Sequence, residues 1–208
     1  MKTILFQGDS ITDAWRSRDN DWNRGLGYAH LVSSRLGRDF PGEYNFLNRG
    51  IGGNRIVDVY ARIKADIINL KPDVMSILIG INDVWHEIGS NNGVATPKFE
   101  KIYSMLISEI KEALPDIKII IMEPFVLEGP ATAEKIDEFR KDAAEKAAVA
   151  RKIAKRFHLP FLPLQEKFDE LCKSAPATYW LGDGVHPSAF GHQLIADEWI
   201  KVFKRLKK

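Results

Sequence analysis

The segment Ile4-Leu5-Phe6-Gln7-Gly8-Asp9-Ser10-Ile11-Thr12 decides how the rest of the chain is read. An apolar run stops at Gly8, and a hydroxyl follows directly after Asp9. This is how a buried strand ends when it presents a serine at a sheet edge. Similar short apolar runs recur downstream, and strands are expected at 3–6, 45–47, 74–79, 118–122 and 161–162. The runs at 74–79 and 117–122 are almost continuously apolar, which fits strands covered on both faces in a parallel sheet.

Longer amphipathic stretches separate these runs. Helices are expected at 27–36, 56–70, 97–114, 133–157 and 187–206. In the third, Phe99, Ile102, Tyr103, Leu106, Ile107, Ile110 and Leu114 recur at spacings of three and four before Pro115 ends the pattern. Alternation of strand and helix predicts an α/β three-layer sandwich with helices on both faces of the sheet. Ligands in such folds bind outside the carboxyl ends of the strands. Five polar segments follow the five strands: Ser10, 50–55, Gly80-Ile81-Asn82-Asp83, Glu123-Pro124-Phe125, and the long loop holding Asp183 and His186. They are therefore expected at one edge.

At 208 residues the chain suits one domain, 1–208, with a core that needs no disulfide. A net charge of +2 implies no strong attraction to nucleic acid or anionic membrane. Lys201, Lys204, Arg205, Lys207 and Lys208 read as a solvated, dipole-favoured helix end. Cys172 is the one cysteine and reads as a buried structural thiol. The apolar run before Gln7 is only Ile4-Leu5-Phe6, too short for a signal-peptide core, and no run approaches the roughly 20 residues of a membrane helix. A cytoplasmic location is expected.

A serine hydroxyl is a weak nucleophile until a base takes its proton. His186 is the best base available, and Asp183, three residues earlier across Gly184, can reach and orient its imidazole. The other histidines fit structural or surface roles: His30 and His192 within helices, His158 at a helix end, and His86 in a loop after Trp85. Gly52-Gly53-Asn54 can point a backbone N–H into a cleft, and Asn82 offers a side-chain amide. No histidine, cysteine and aspartate spacing suits zinc, so no metal or other cofactor is expected.

Four blocks then stand in order: Gly8-Asp9-Ser10-Ile11-Thr12, Asn48-Arg49-Gly50-Ile51-Gly52-Gly53-Asn54, Gly80-Ile81-Asn82-Asp83 and Asp183-Gly184-Val185-His186-Pro187. Over essentially its whole length the chain resembles the SGNH hydrolases, also called GDSL esterases and lipases. The resemblance implies a five-stranded parallel, flavodoxin-like sheet. It also implies Ser10 as nucleophile, His186 as base and Asp183 as its orienter. The Ser10 and Gly53 N–H groups and the Asn82 side chain become the oxyanion donors.

Within that family, Gly80-Ile81-Asn82-Asp83-Val84-Trp85 and Glu123-Pro124-Phe125 resemble bacterial acetylxylan and acetyl-xylooligosaccharide esterases. An acetylated oligosaccharide is the expected substrate, with Asp9, Trp85, Phe125 and Trp180 as candidate substrate contacts. Trp15, Trp22 and Tyr179 also fall in or beside the edge loops, where aromatic faces can stack on sugar rings or serve a homo-oligomer interface. Arg16 and Arg55 can bind polar groups, although solvation is the expectation for both. A lysophospholipase, thioesterase or arylesterase is the rival within the enzyme class. It needs an apolar acyl groove, whereas the segment 87–96 is mostly polar. A non-catalytic flavodoxin-like binding module is the rival outside it.

Overall fold

A computed structural model describes residues 1–206. The strands β1 (Lys2–Gly8), β2 (Tyr44–Asn48), β3 (Val74–Leu78), β4 (Lys118–Met122) and β5 (Phe161–Leu162) form one sheet in the order β2-β1-β3-β4-β5. Every pairing is parallel, with Ile4 opposite Phe46 on one side and Val74 on the other. The chain first steps outward from β1 to β2, then returns across β1 to β3. The order therefore reverses at β1 and β3, which is where such sheets open a crevice beyond their carboxyl ends.

The helices are α1 (Ser10–Asp13), α2 (Tyr28–Asp39), α3 (Ile56–Ala61), α4 (Ile63–Asp66), α5 (Ile81–Ser90), α6 (Thr96–Ala113), α7 (Ile136–Arg156), α8 (Gln165–Leu171), α9 (Ala177–Trp180) and α10 (Ala189–Leu206). Successive strand side chains point to opposite faces. Ile4 and Phe6 enter the core with Val32 and Leu36 of α2 and Trp199 and Phe203 of α10. Leu5 enters the other, with Val59 of α3, Phe99 and Leu106 of α6, and Ile153 of α7. Burying each such large side chain stabilises the fold by about 1.5–3 kcal/mol. A polar strand would lose this on both faces at once, which is why the strand sequences are nearly continuous in apolar residues.

The stretch 56–70 is not one helix. It divides into α3, α4 and a short 3-10 turn, with the break at Arg62. That guanidinium reaches Gln7 Oε1 at 2.7 Å, the Arg49 carbonyl at 2.8 Å and Asn54 Oδ1 at 2.8 Å. These acceptors lie at the sheet edge, and their demand for a donor outweighs helical continuity. The stretch 133–157 begins as a 3-10 turn and becomes α-helical at Ile136. Helices α1, α5 and α9 stand where loops were expected, so His86 is helical. Cys172 is half-buried after α8 rather than enclosed, and burial raises its thiol pKa. The basic tail runs into Lys207 and Lys208, which lie outside the described residues. Among the described residues, no helix is long and apolar enough to cross a membrane.

Candidate active site

Strand β1 delivers Asp9 and Ser10 to the sheet edge. Asp9 caps α1, its Oδ1 accepting from the Ile11 N–H at 2.9 Å. A short polar side chain in this place satisfies a donor the helix itself cannot. The Asp9 carboxyl is fully buried, and its Oδ2 has no partner among the described residues. Burial lifts its pKa to about 7, against the opposing pull of the Ile11 N–H and His186. The expectation that Asp9 contacts substrate is therefore corrected. It faces inward, because capping α1 turns its side chain under the helix.

Ser10 is half-buried at the first position of α1. Its Oγ lies 2.8 Å from His186 Nε2. His186 Nδ1 lies 2.7 Å from Asp183 Oδ2, and Asp183 Oδ1 accepts from the backbone N–H groups of His186 at 2.7 Å and Val185 at 2.9 Å. Serine, imidazole and carboxylate thus form one hydrogen-bonded line, although Ser10 and His186 are far apart in sequence. Burial alone would raise the Asp183 pKa, but these hydrogen bonds overcome it and hold the value at about 2. The hydrogen bond that His186 Nδ1–H donates to Asp183 in turn raises the His186 pKa, opposed by burial. A carboxylate so placed fixes the imidazole tautomer and stabilises the imidazolium that proton transfer would form.

The loop after β2 turns over Ser10. Gly53 has φ +78°, a left-handed conformation that glycine adopts without penalty. Neither its N–H nor that of Ser10 has a protein acceptor among the described residues. Asn82 is buried in the first turn of α5, after Gly80 ends the path from β3. Its Nδ2 donates to the Asn54 carbonyl at 3.2 Å, which leaves its second N–H uncommitted. Next to it, both oxygens of Asp83 accept from the Ile56 N–H, at 3.1 and 3.2 Å, and this seats the start of α3. Ser10, Gly53 and Asn82 come from the ends of three adjacent strands, and two unpaired N–H groups sit beside a free amide donor.

A cleft of about 610 Å³ opens over Ser10, lined by Ile11, Trp15, Gly52, His186 and Pro187 among others. Four further lining residues carry structure that sequence reasoning did not find or undervalued. Asp13 accepts from the Gly52 N–H at 3.1 Å and pairs with Arg18 at 2.5 Å. His192 Nδ1 accepts from the Tyr28 N–H at 3.2 Å, and burial, followed by the His186 charge, lowers its pKa to about 4. Arg16 donates through Nε to the Gly50 carbonyl at 2.8 Å. Outside the cleft, Asn48 ties the loop to α1, donating to the Thr12 carbonyl at 2.6 Å and accepting from the Gly50 N–H at 2.9 Å. That last contact was legible, since an Asn two residues before a Gly is a turn signal.

The expected aromatic contacts separate. Trp85 is half-buried, its ring centroid 5.8 Å from that of His186 and 6.2 Å from that of Phe139. Phe125 is fully buried against Phe168, with centroids 4.6 Å apart, so it is a core residue and does not meet substrate. The apolar segment after β4 turns inward because Phe168 of α8 supplies its packing partner. Trp180 is likewise no lining residue: its indole N–H donates to the Leu171 carbonyl at 3.1 Å and its ring packs on the core. Trp15 is 84% exposed at the cleft.

Comparison with known proteins follows this geometry. The family model of the GDSL-like lipase/acylhydrolase family matches residues 6–194. An acetylxylan esterase from Geobacillus stearothermophilus is 34% identical over 208 residues, covering 95% of this chain and 92% of the relative. The crystal structure of Axe2, an acetylxylan esterase from that organism, superposes with a TM-score of 0.87 at 33% identity, covering 97% of this chain and 93% of Axe2. LAE5, an alpha/beta hydrolase enzyme from the metagenome of Lake Arreo, Spain, superposes with a TM-score of 0.86 at 27% identity, covering 97% and 94%. This chain belongs to the GDSL-like lipase/acylhydrolase family and is a carboxylic ester hydrolase.

Proposed function

We propose that the protein removes acetyl groups from xylo-oligosaccharides or related carbohydrates through an acyl-enzyme on Ser10. The observation that carries this reading is the unbroken Ser10–His186–Asp183 line opening into a cleft beside free backbone donors. His186 Nε2 takes the Ser10 proton as Oγ attacks the ester carbonyl. The oxygen that becomes negative is received by the N–H groups of Ser10 and Gly53 and by the Asn82 amide. As the carbonyl–oxygen bond to the sugar breaks, the imidazolium, stabilised by Asp183, gives its proton to the departing sugar oxygen, which leaves as a hydroxyl. Water activated by His186 then releases acetate and restores Ser10.

Two observations support a carbohydrate ester. A Geobacillus relative of similar length is an acetylxylan esterase. Trp15 presents an exposed indole at the mouth of the cleft, a flat face suited to a sugar ring. Self-association belongs to the same proposal: Trp22, Leu26 and Phe190 expose apolar surface, and sedimentation velocity reads the assembly state.

Turnover is to be compared on acetyl, butyryl and octanoyl 4-nitrophenyl esters and on acetylated xylo-oligosaccharides. Acetyl preference with acetate release from the sugars is expected. Octanoyl preference without acetate release overturns the carbohydrate reading and favours a lipid ester or thioester.

A further inference from the structure

Arg16 lines the cleft over Ser10 and has no carboxylate within ion-pair distance. Its neighbours differ. Arg18 pairs with Asp13 at 2.5 Å, Arg49 with Asp21 at 2.5 Å, and Arg62 with Asp66 at 2.8 Å. Arg16 spends Nε on the Gly50 carbonyl and one Nη on the Ser17 carbonyl at 3.2 Å. Its remaining donors have no protein acceptor among the described residues. Burial and the Arg18 charge lower its pKa to about 10 against the opposing pull of Asp13, so it stays protonated at neutral pH. Asp13 and Asp66 offset part of this charge from a distance, but each is paired to another arginine, so the half-buried Arg16 guanidinium keeps no direct anionic partner.

Trp15 adds a second observation. Ala14 and Trp15 are consecutive non-glycine residues with φ +41° and +60°. Left-handed backbone costs roughly 1–2 kcal/mol per such residue. The turn persists because Ala14 is tied down on both sides: its N–H donates to the Ser10 carbonyl at 2.9 Å and its carbonyl accepts from Leu26 at 2.8 Å. The result is an indole standing out at the cleft mouth next to the open guanidinium in sequence.

Resting on the carbohydrate reading above, we propose that Arg16 is a specificity residue. It binds a carboxylate on the acetylated sugar or on the ring beside it, while that ring lies on Trp15. The preferred substrates are then acetyl esters of sugars bearing an acid group. A planar guanidinium suits a carboxylate better than a neutral hydroxyl. Arg18 is less suited, since both oxygens of Asp13 already occupy its fork.

The test uses the full chain and two substrates, the acetylated methyl glycoside of glucuronic acid and its neutral uronamide. The wild type is expected to favour the acid in kcat/KM by roughly tenfold or more, the effect of one charge-assisted hydrogen bond. Salt is expected to shrink that ratio. Arg16→Gln should bring it near one, chiefly through KM on the acid, and Arg16→Lys should restore part of it. Arg35→Gln, which removes an exposed charge on α2, should leave it intact. A wild-type ratio near one, or a ratio that survives in Arg16→Gln, overturns the inference while acetate release upholds the carbohydrate reading. If Arg16→Gln fails to fold, the wild-type ratio and its salt dependence still decide. If neither sugar ester is cleaved while 4-nitrophenyl octanoate is, the carbohydrate reading falls and takes the inference with it.

Discussion

The two halves of the site are built by different means. Ser10, Gly53 and Asn82 follow β1, β2 and β3 within a few residues, so the sheet itself sets their spacing. Asp183 and His186 lie in a loop well past β5, with α8 and α9 between. That loop is held by another loop. Leu127 N–H donates to the Gly184 carbonyl and Ala131 N–H to the Asp183 carbonyl, both at 2.9 Å, while Leu181 bridges to Pro187. Thr132, buried behind them, donates to the Leu127 carbonyl at 2.7 Å. The nucleophile side therefore inherits the rigidity of the core, whereas the base side depends on a handful of polar contacts.

Variants can break this contrast from the largest effect downward. Ser10→Ala should lower kcat on an acetyl ester roughly 10⁴–10⁶-fold with an unchanged thermal midpoint, because it removes the nucleophile without touching the core. Asn82→Ala should cost roughly 10²–10³-fold in kcat as one oxyanion donor is lost, with KM nearly constant.

Gly184→Ala probes the loop-built half. Gly184 has φ +102°, and an added Cβ would lie 2.4 Å from Thr132 Oγ1. The loop must shift, so kcat should fall about 10–10²-fold through misplacement of His186. The equivalent change at an exposed glycine with open space, Gly182→Ala, should do little. Equal effects at both positions would show that the loop is not what positions the base.

The pH profile sharpens the electrostatic side. Asp183 raises the His186 pKa, so the acid limb of kcat/KM should inflect above the ordinary imidazole value of 6.5. Activity falls as pH drops through that point because an imidazolium cannot accept the Ser10 proton.

A separate effect falls on stability alone and concerns Asp9. Its folded pKa of about 7 exceeds its ordinary value of 3.8, so the unfolded chain releases the proton first. Stability should decline as pH rises from about 4 to about 7 and level off above, at up to about 4 kcal/mol by the free energy of one pKa unit. Asp9→Asn keeps the α1 cap and should flatten this slope. Urea denaturation of both proteins across that range measures the difference, and parallel curves would remove Asp9 as the cause.

Much of this was legible beforehand, and the reason is physical. Strands at 74–79 and 118–122 show themselves because a strand buried on both faces must be apolar throughout. The first three polar blocks show themselves because they follow strands, whose ends are easy to find, whereas the fourth, well past β5, shows itself by an aspartate three residues before a histidine. The short helices α1 and α9 escaped notice because four residues carry no period. Helix α5 escaped because Asn82, Asp83 and Gly89 weaken a pattern whose helical start depends on the turn at Gly80.

The amino-acid sequence by itself determined the alternation of elements, the edge at which chemistry gathers and the identity of the three residues that meet there. Each of these depends on local spacing or on short motifs. Only the tertiary structure decided that Asp9 and Phe125 turn inward, that Arg62 interrupts a helix, and that Arg16 alone among the arginines lining the cleft lacks a carboxylate. Those outcomes depend on which distant donor, acceptor or ring lies opposite. A buried polar group or aromatic ring finds its partner through the fold rather than along the chain.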